Sequence, residues 1–438
     1  MNATQASTIL ERPRRKATAG TASAIARSTN CRGSAAIVEA AVYDTGRSRV
    51  WHVGSVRRST FMLRIGFCST WPATDPNAYS GYAFSIRGQL KRDFEVVDLL
   101  LRRRWLRLPF LGHEIVARGL RRYYSYEREP LYLDTLARTV EHWAIDARLD
   151  AIVCPSSIPM TRYRGPVPAV VVTDQVFHSA LGTYLSRPSS RYRRLGIAQE
   201  RQALANCAAV SFPTQAAVEA AVRDCGADPA KVHEIAWGAN LPSVPERGAV
   251  ERALRSRARD VVSLVFIGRE WKRKGGDLVL ATMDELRRRG VACRLVVIGT
   301  EPDGFLSGDV RVIRFLDKQT PAGWQQFVEI MSDAHFLFVP SRAEAFGHVY
   351  CEAAAFGVPA VAQAVGGVPS VVRDGSTGIV VDPSDATPAS FGARIAELWS
   401  DRDAYEGMAL SARRDYEERL NWDQFGIRFR RVVEGVLR

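Results

Sequence analysis

From residue 63 onward, short apolar runs alternate with helical stretches, and this alternation constrains the fold more than any other feature of the chain. Runs at 63–68, 94–99, 150–154, 169–173 and 208–212 are too short to be helices and are rich in Val, Ile, Ala and Phe. Helical stretches separate them: one from Gly81 to about Arg92, then 131–148 and 192–206. Strands that each hand over to a helix pair in parallel, because the crossover needs that helix, and the sheet is then covered on both faces. Pro242, Pro245 and Gly248 interrupt the pattern. It resumes with runs at 262–267, 294–298, 310–315, 336–339 and 360–362, so a second α/β domain is expected to begin near residue 245. The predicted fold is α/β, with two Rossmann-like domains at 62–244 and 245–420 facing a cleft.

Two helices of the second half illustrate the reading. The stretch 277–289 puts Val279, Met283 and Leu286 on one face and stops at Gly290, which core packing explains. The last helix, 422–436, places Trp422, Phe425, Phe429, Val432 and Val436 at helical spacing behind Asn421 as N-cap. Residues 421–438 are expected to return to the first domain.

The formal net charge of +13 would by itself suggest a phosphate, nucleic-acid or membrane partner. Residues 1–61 carry ten basic side chains against Glu11, Glu39 and Asp44, a net +7, which leaves +6 for the rest. Their polar, aperiodic composition reads as a disordered basic arm, or as sequence ahead of a start at Met62. Seven widely spread cysteines with no C-x-x-C pair fit a reducing compartment and suggest neither zinc nor redox work. No apolar run is long enough to cross a bilayer and no secretory signal is apparent, so a cytoplasmic location is expected.

The segment HFLFVPSRAEAFGHVYCEAAAFGVP reads strand, loop, helix, with Glu344 in the loop and Glu352 eight residues on inside the helix. Helix N-termini attract phosphate through unpaired N–H groups and the macrodipole. The turn Phe346-Gly347-His348-Val349 is therefore suited to a diphosphate. Glu352, a turn deeper, is placed to accept from ribose hydroxyls, which leaves Glu344 for a sugar. An isolated Glu is more often just a solvated charge. Here the surrounding sequence reverses that.

This segment resembles the E-x7-E motif of family 4 glycosyltransferases of the GT-B fold, and the following PAVAQAVGGVPSVVRDGSTGIVVDPSD resembles their strand, Gly-Gly loop (Gly366, Gly367) and D-G-x-x-G continuation. Upstream, FIGREWKRKGG resembles the G-R-x4-K-G element, with Gly268, Arg269, Lys274 and Gly275 in register, whose two cations grip the donor diphosphate in that family. The intervening Lys272 and Arg273 read as solvated surface. Ser370 departs from the pattern, since many members carry Glu there. The resemblance implies a nucleotide-sugar donor in the second domain, an acceptor in the first, retention at the anomeric carbon, and protein cations in place of a metal ion. The acceptor it implies is a glycan, a lipid-linked molecule or a small molecule.

In the first domain VVTDQVFHSALGTYL, PTQAAVEAAVRDCG and KVHEIAWGANL resemble the corresponding stretches of a subgroup of these enzymes. Asp174 ends a parallel strand, the edge where α/β sheets place ligands, and suits orienting or deprotonating an acceptor hydroxyl, or simply capping the strand. His178, four residues on, is the other candidate near the transferred sugar, or an ordinary packing residue. Gly81 would let backbone approach donor or acceptor from the first domain, or would serve as a turn glycine. Asp401-Arg402-Asp403 fits a D-x-D metal pattern but lies in a polar helical stretch, so no metal site is expected. Eight arginines between 102 and 128, interleaved with Trp105, Tyr123, Tyr124 and Tyr126, suit an anionic membrane surface, a phosphate-bearing acceptor or plain solvation.

Three other readings fit the sequence less well. A nucleotide-sugar epimerase would need similar carboxylates, but nothing specifically supports an isomerase. Nucleic-acid binding through the basic arm leaves Glu344 and Glu352 unexplained. A dinucleotide dehydrogenase lacks its G-x-G-x-x-G after the first strand.

Overall fold

Most strands lead into a helix, and the computed structural model resolves the result into two parallel six-stranded sheets. It describes residues 62–76, 78–101, 104–303 and 308–438, so the reading of 1–61 as a basic arm lies outside the described residues. The first sheet holds β1 (Arg64–Ser69), β2 (Glu95–Leu100), β3 (Ala151–Cys154), β4 (Ala169–Val172), β5 (Ala209–Phe212) and β6 (Val232–Glu234), ordered β2-β1-β3-β4-β5-β6. The second holds β7 (Val262–Ile267), β8 (Cys293–Ile298), β9 (Val310–Ile313), β10 (Phe336–Phe338), β11 (Ala360–Gln363) and β12 (Gly378–Val381), ordered β12-β11-β10-β7-β8-β9.

Both orders contain a place where the chain leaves two neighbouring strands in opposite directions, β1 beside β3 in one sheet and β7 beside β10 in the other. Ligands of open α/β sheets bind outside the carboxyl ends of the strands at such switch points. The central strands β3, β4, β5 and β10 are buried along their whole length, as strands covered by helices on both faces must be.

The terminal helix, Trp422–Gly435, lies on Tyr82–Asp93 of the first domain. Arg430 pairs with Asp93 at 2.7 Å, Arg92 pairs with Asp423 at 2.5 Å, and Phe425, Phe429 and Val433 are buried. Asn421 caps this helix, its side chain accepting from the Gln424 N–H at 2.9 Å. Gly290, in the left-handed region at φ 77, ends the helix Gly276–Arg288. No helix among the described residues is long and apolar enough to cross a membrane.

Candidate active site

Two loops meet at the switch point of the second sheet. The loop after β7 runs into the helix Gly276–Arg288, and the loop after β10 runs into the helix His348–Ala355. Both helices start on a glycine in the left-handed region, Gly275 at φ 76 and Gly347 at φ 90. A Cβ on Gly275 would lie 2.2 Å from the Pro340 carbonyl oxygen, and one on Gly347 would lie 2.5 Å from the Tyr350 ring, so a larger residue would open both turns. The first N–H groups of each helix have no intrahelical acceptor and carry the positive end of its dipole.

Lys274 and Glu344 form an ion pair between the loops, with side chains only 10% and 9% exposed. Ser341 Oγ donates to the same carboxylate oxygen, Oε2, at 3.1 Å, which leaves Oε1 without a described partner. A buried pair of this kind is costly to break, about 3–5 kcal/mol when one partner is removed. Gly268 makes room for it, since a Cβ there would come within 2.9 Å of Lys274 Cγ. Gly366 and Gly367 support it from behind. A Cβ on Gly366 would strike the Glu344 carbonyl oxygen at 2.1 Å and one on Gly367 the Ala345 carbonyl oxygen at 2.0 Å, while Gly367 N–H donates to Glu344 O at 3.1 Å. These two glycines hold the Glu344 loop in place by close backbone approach.

Glu352 is 4% exposed, and its Oε1 accepts from Lys318 Nζ at 2.6 Å. Lys318 also donates to Asn240 O at 3.0 Å. His348 donates from Nδ1 to Gly238 O at 2.9 Å, since a carbonyl only accepts. Burial, opposed in part by that bond, holds its imidazole down to about 4 and so neutral. Phe346, 2% exposed, and His348 pack against Trp237, which also stacks on Tyr82 at 4.6 Å between ring centroids. Phe346 is therefore part of the wall, and Val349 packs half-buried against the core.

The first domain supplies the opposite side. Asp174, just past β4, is half-buried, and its carboxyl is pushed up to about 6 by burial, with the Glu344 charge adding to the shift. Hydrogen bonds from its own N–H, from the Gln175 N–H and from Thr173 act the other way. Tyr184 reaches the same place. Burial, then the charge of Glu344, raises its phenol, while the Arg273 guanidinium lies 5.1 Å above its ring. Gly81, at φ 77, begins the helix Tyr82–Asp93 close to Asn240, whose side chain accepts from Ser85 Oγ at 3.0 Å and from Trp422 Nε1 at 2.9 Å.

Glu344, Lys274, Gly268, Asp174, Gly347, Gly366 and Gly367 thus gather in one crevice. Arg269 is exposed at the rim, without a hydrogen bond or ion pair to a described residue. His178 lies on the short helix Phe177–Ala180, where its charge is felt by Asp224. Arg273 corrects the expectation of a solvated charge. It is half-buried, donating to Ala343 O at 2.8 Å and Glu270 Oε2 at 2.5 Å, because it ties the two loops together. Lys318 and Tyr184 were not singled out from sequence. Lys318 follows β9 at the ligand edge of the sheet, a weak signal. Tyr184 gave none.

Ser370, where a Glu is common in the resembled family, spans the two domains: its Oγ accepts from the Gln215 N–H at 3.0 Å. Asp401 is the N-cap of the helix Arg402–Glu418, accepting from the Ala404 N–H at 2.9 Å. Among the described residues no three His, Cys, Asp or Glu side chains converge as a metal site would require.

Residues 262–401 match the family described as Glycosyl transferases group 1. Among curated proteins the chain is 34% identical over 261 residues to a D-inositol 3-phosphate glycosyltransferase of Actinosynnema mirum, covering 54% of this chain and 59% of that one. It is 32% identical over 202 residues to the protein of the same name from Nocardia farcinica, covering 43% of this chain and 44% of the other. The chain therefore spans about half the length of the curated relatives it matches. Among solved structures, sucrose-phosphate synthase from Thermosynechococcus elongatus superposes with a TM-score of 0.61 at 17% identity, covering 85% of this chain and 99% of that one. Anabaena HepE in complex with UDP gives a TM-score of 0.59 at 14% identity, covering 85% and 100%. At such identities the likeness speaks for the fold. Residues 262–401 thus match the glycosyl transferase group 1 family, and the chain has the two-sheet α/β fold shared with solved GT-B glycosyltransferases.

Proposed function

We propose that the chain is a retaining, metal-independent glycosyltransferase, moving a sugar from a nucleoside-diphosphate sugar held by the second domain to an acceptor hydroxyl held by the first. The observation that carries this reading is the Lys274–Glu344 pair, set beside two helix N-termini and facing Asp174 across the crevice.

Departure of a nucleoside diphosphate builds negative charge on its phosphate oxygens, and positive groups fixed in advance stabilise that charge most. Arg269 is unengaged by described residues and its guanidinium suits two parallel bonds to phosphate. Lys274 supplies a compact second charge, and the turn 346–349 adds unpaired N–H groups. Donor binding then shares Lys274 between phosphate and Glu344, so Glu344 is freed to meet the hydroxyls or developing charge of the sugar. Glu352, whose Oε2 accepts no described hydrogen bond, is assigned to the ribose hydroxyls. Asp174, ionised above about pH 6, is assigned to the acceptor hydroxyl.

HepE has been solved with UDP-glucose, and the curated relatives are named for an inositol phosphate acceptor. Uridine diphosphate sugars and phosphorylated polyols are accordingly the first donor and acceptor classes to try, in a cytoplasmic pathway of glycan or glycolipid synthesis. The test is a thermal-shift panel of UDP-, GDP- and ADP-sugars, followed by NMR of the product formed with the stabilising donor. A stabilising donor and a product of unchanged anomeric configuration are expected. An inverted product, or no stabilisation by any donor, contradicts the reading.

A further inference from the structure

Past the end of the edge strand β2, a short 3-10 turn, Arg104–Phe110, leads into the helix Leu111–Gly119, of which no residue is buried. This helix is turned the wrong way for a water-soluble surface. Its described contacts run through His113 and Glu114: the His113 ring lies 6.0 Å from that of Tyr124, and Glu114 is held at 2.6 Å by Arg107 of the preceding turn. Its apolar residues face outward. Ile115 is 70% exposed, Val116 61% and Leu111 39%, and Leu108 and Leu120 on either side are 66% and 64% exposed. An apolar stripe of this extent in water is unfavourable unless something covers it.

The charge beside the stripe says what covers it. Arg118, Arg121 and Arg122 are all exposed and make no side-chain hydrogen bond or ion pair to a described residue. Apolar side chains next to unpaired cations match the boundary of an anionic lipid leaflet, where acyl chains receive the first and headgroup phosphates the second. We propose that the helix Leu111–Gly119, with Leu108, Leu120 and these three arginines, is a peripheral docking surface for an anionic phospholipid bilayer. The segment is anchored to the ligand side of the first sheet: Tyr123 N–H donates to Arg187 O at 3.2 Å, and the Tyr123 ring meets that of Tyr192 at 5.6 Å. A bilayer docked there would lie beside the edge that carries Asp174. The surface is independent of the transfer chemistry, and the two are read in separate assays.

The test is co-sedimentation of the full chain with vesicles of phosphatidylcholine, with and without phosphatidylglycerol. Binding to the anionic vesicles is expected, at least about tenfold weaker on phosphatidylcholine alone, and weakened by salt. Two variants separate the contributions: Ile115→Glu with Val116→Glu removes the apolar stripe, and Arg118→Glu with Arg121→Glu and Arg122→Glu reverses the charge. Each should lower partitioning at least about tenfold while leaving the melting temperature and nucleotide binding unchanged. The proposal is overturned if wild type stays in the supernatant, or if either variant partitions like wild type. It is equally overturned if the stripe variant dissociates a lipid-free dimer, which would give the face to a second copy. Retention on nucleic acid but not on vesicles would also overturn it.

Discussion

The two switch points follow one topological rule and are finished with different chemistry. Around β7 and β10 the loops carry charge, and the charge is paired: Lys274 with Glu344, Lys318 with Glu352, Arg273 with Glu270. Around β1, β3 and β4 the loop ends carry mostly hydroxyls and glycine, namely Ser69, Gly81, Ser156, Ser157 and Thr173, with Asp174 as the carboxylate nearest the crevice. A set of paired charges is suited to an anionic ligand that inserts between the partners. A hydroxyl-lined edge with one raised carboxyl is suited to a neutral hydroxyl that must lose a proton. This difference is the physical ground for the proposal that the phosphate-bearing substrate sits in the second domain and the acceptor in the first.

The largest expected effect tests whether the two halves are held together by the aromatic stack that both share. Trp237, 1% exposed, lies between Tyr82 of the first domain and His348 of the second. Trp237→Ala should destabilise the chain by about 3–5 kcal/mol in denaturant melts. A loss under about 1 kcal/mol would mean that the domains hold their positions by other contacts.

Lys274→Ala should then distinguish charge from packing. It should lower turnover at saturating donor by about 10² to 10³ and, by leaving Glu344 buried and alone, lower the melting temperature too. Turnover equal to wild type would remove Lys274 from the mechanism, whatever happens to stability.

Glu352→Ala should weaken nucleotide binding in calorimetry at least about tenfold, because charge-assisted bonds to ribose hydroxyls are worth roughly 1.5–3 kcal/mol each. Unchanged affinity would leave Glu352 as the partner of Lys318 and nothing more.

The smallest effect belongs to the first domain. With its carboxyl raised to about 6, Asp174 is protonated below that pH, so kcat/KM should fall on acidification through pH 6. In Asp174→Asn that limb should vanish along with most activity. The same shift has a stability consequence: the folded chain holds this proton more tightly than the unfolded one, so Asp174 favours folding below its ordinary carboxylate range and this contribution declines as pH rises through 6. A limb that persists in Asp174→Asn would belong to another group.

Much of this was legible in sequence because it depends on fixed spacing. Arg269 and Lys274 follow a strand at a set distance, and Glu344 and Glu352 bracket a helix start, so local geometry alone brings them to the crevice. The strands were legible where they are buried on both faces, as Phe336–Phe338 is. β6, Val232–Glu234, was not read, because an edge strand of three partly exposed residues has neither the length nor the apolar run. Tyr184 and Lys318 do not stand out in sequence for a different reason. Their partners lie far along the chain, Tyr184 meeting Arg273 and Lys318 meeting Glu352, and only the folded domains bring them together.

The most direct test uses Arg269, which makes no hydrogen bond or ion pair to a described residue and whose removal should therefore cost the fold little. Turnover of Arg269→Ala is to be measured at saturating donor, beside wild type with and without EDTA. The account predicts an unchanged melting temperature, turnover lowered by about 10² to 10³, and wild-type activity indifferent to the chelator. Wild-type turnover in Arg269→Ala, together with activity that EDTA abolishes and Mg²⁺ or Mn²⁺ restores, would show that a metal ion and not the protein's own cations stabilises the leaving diphosphate.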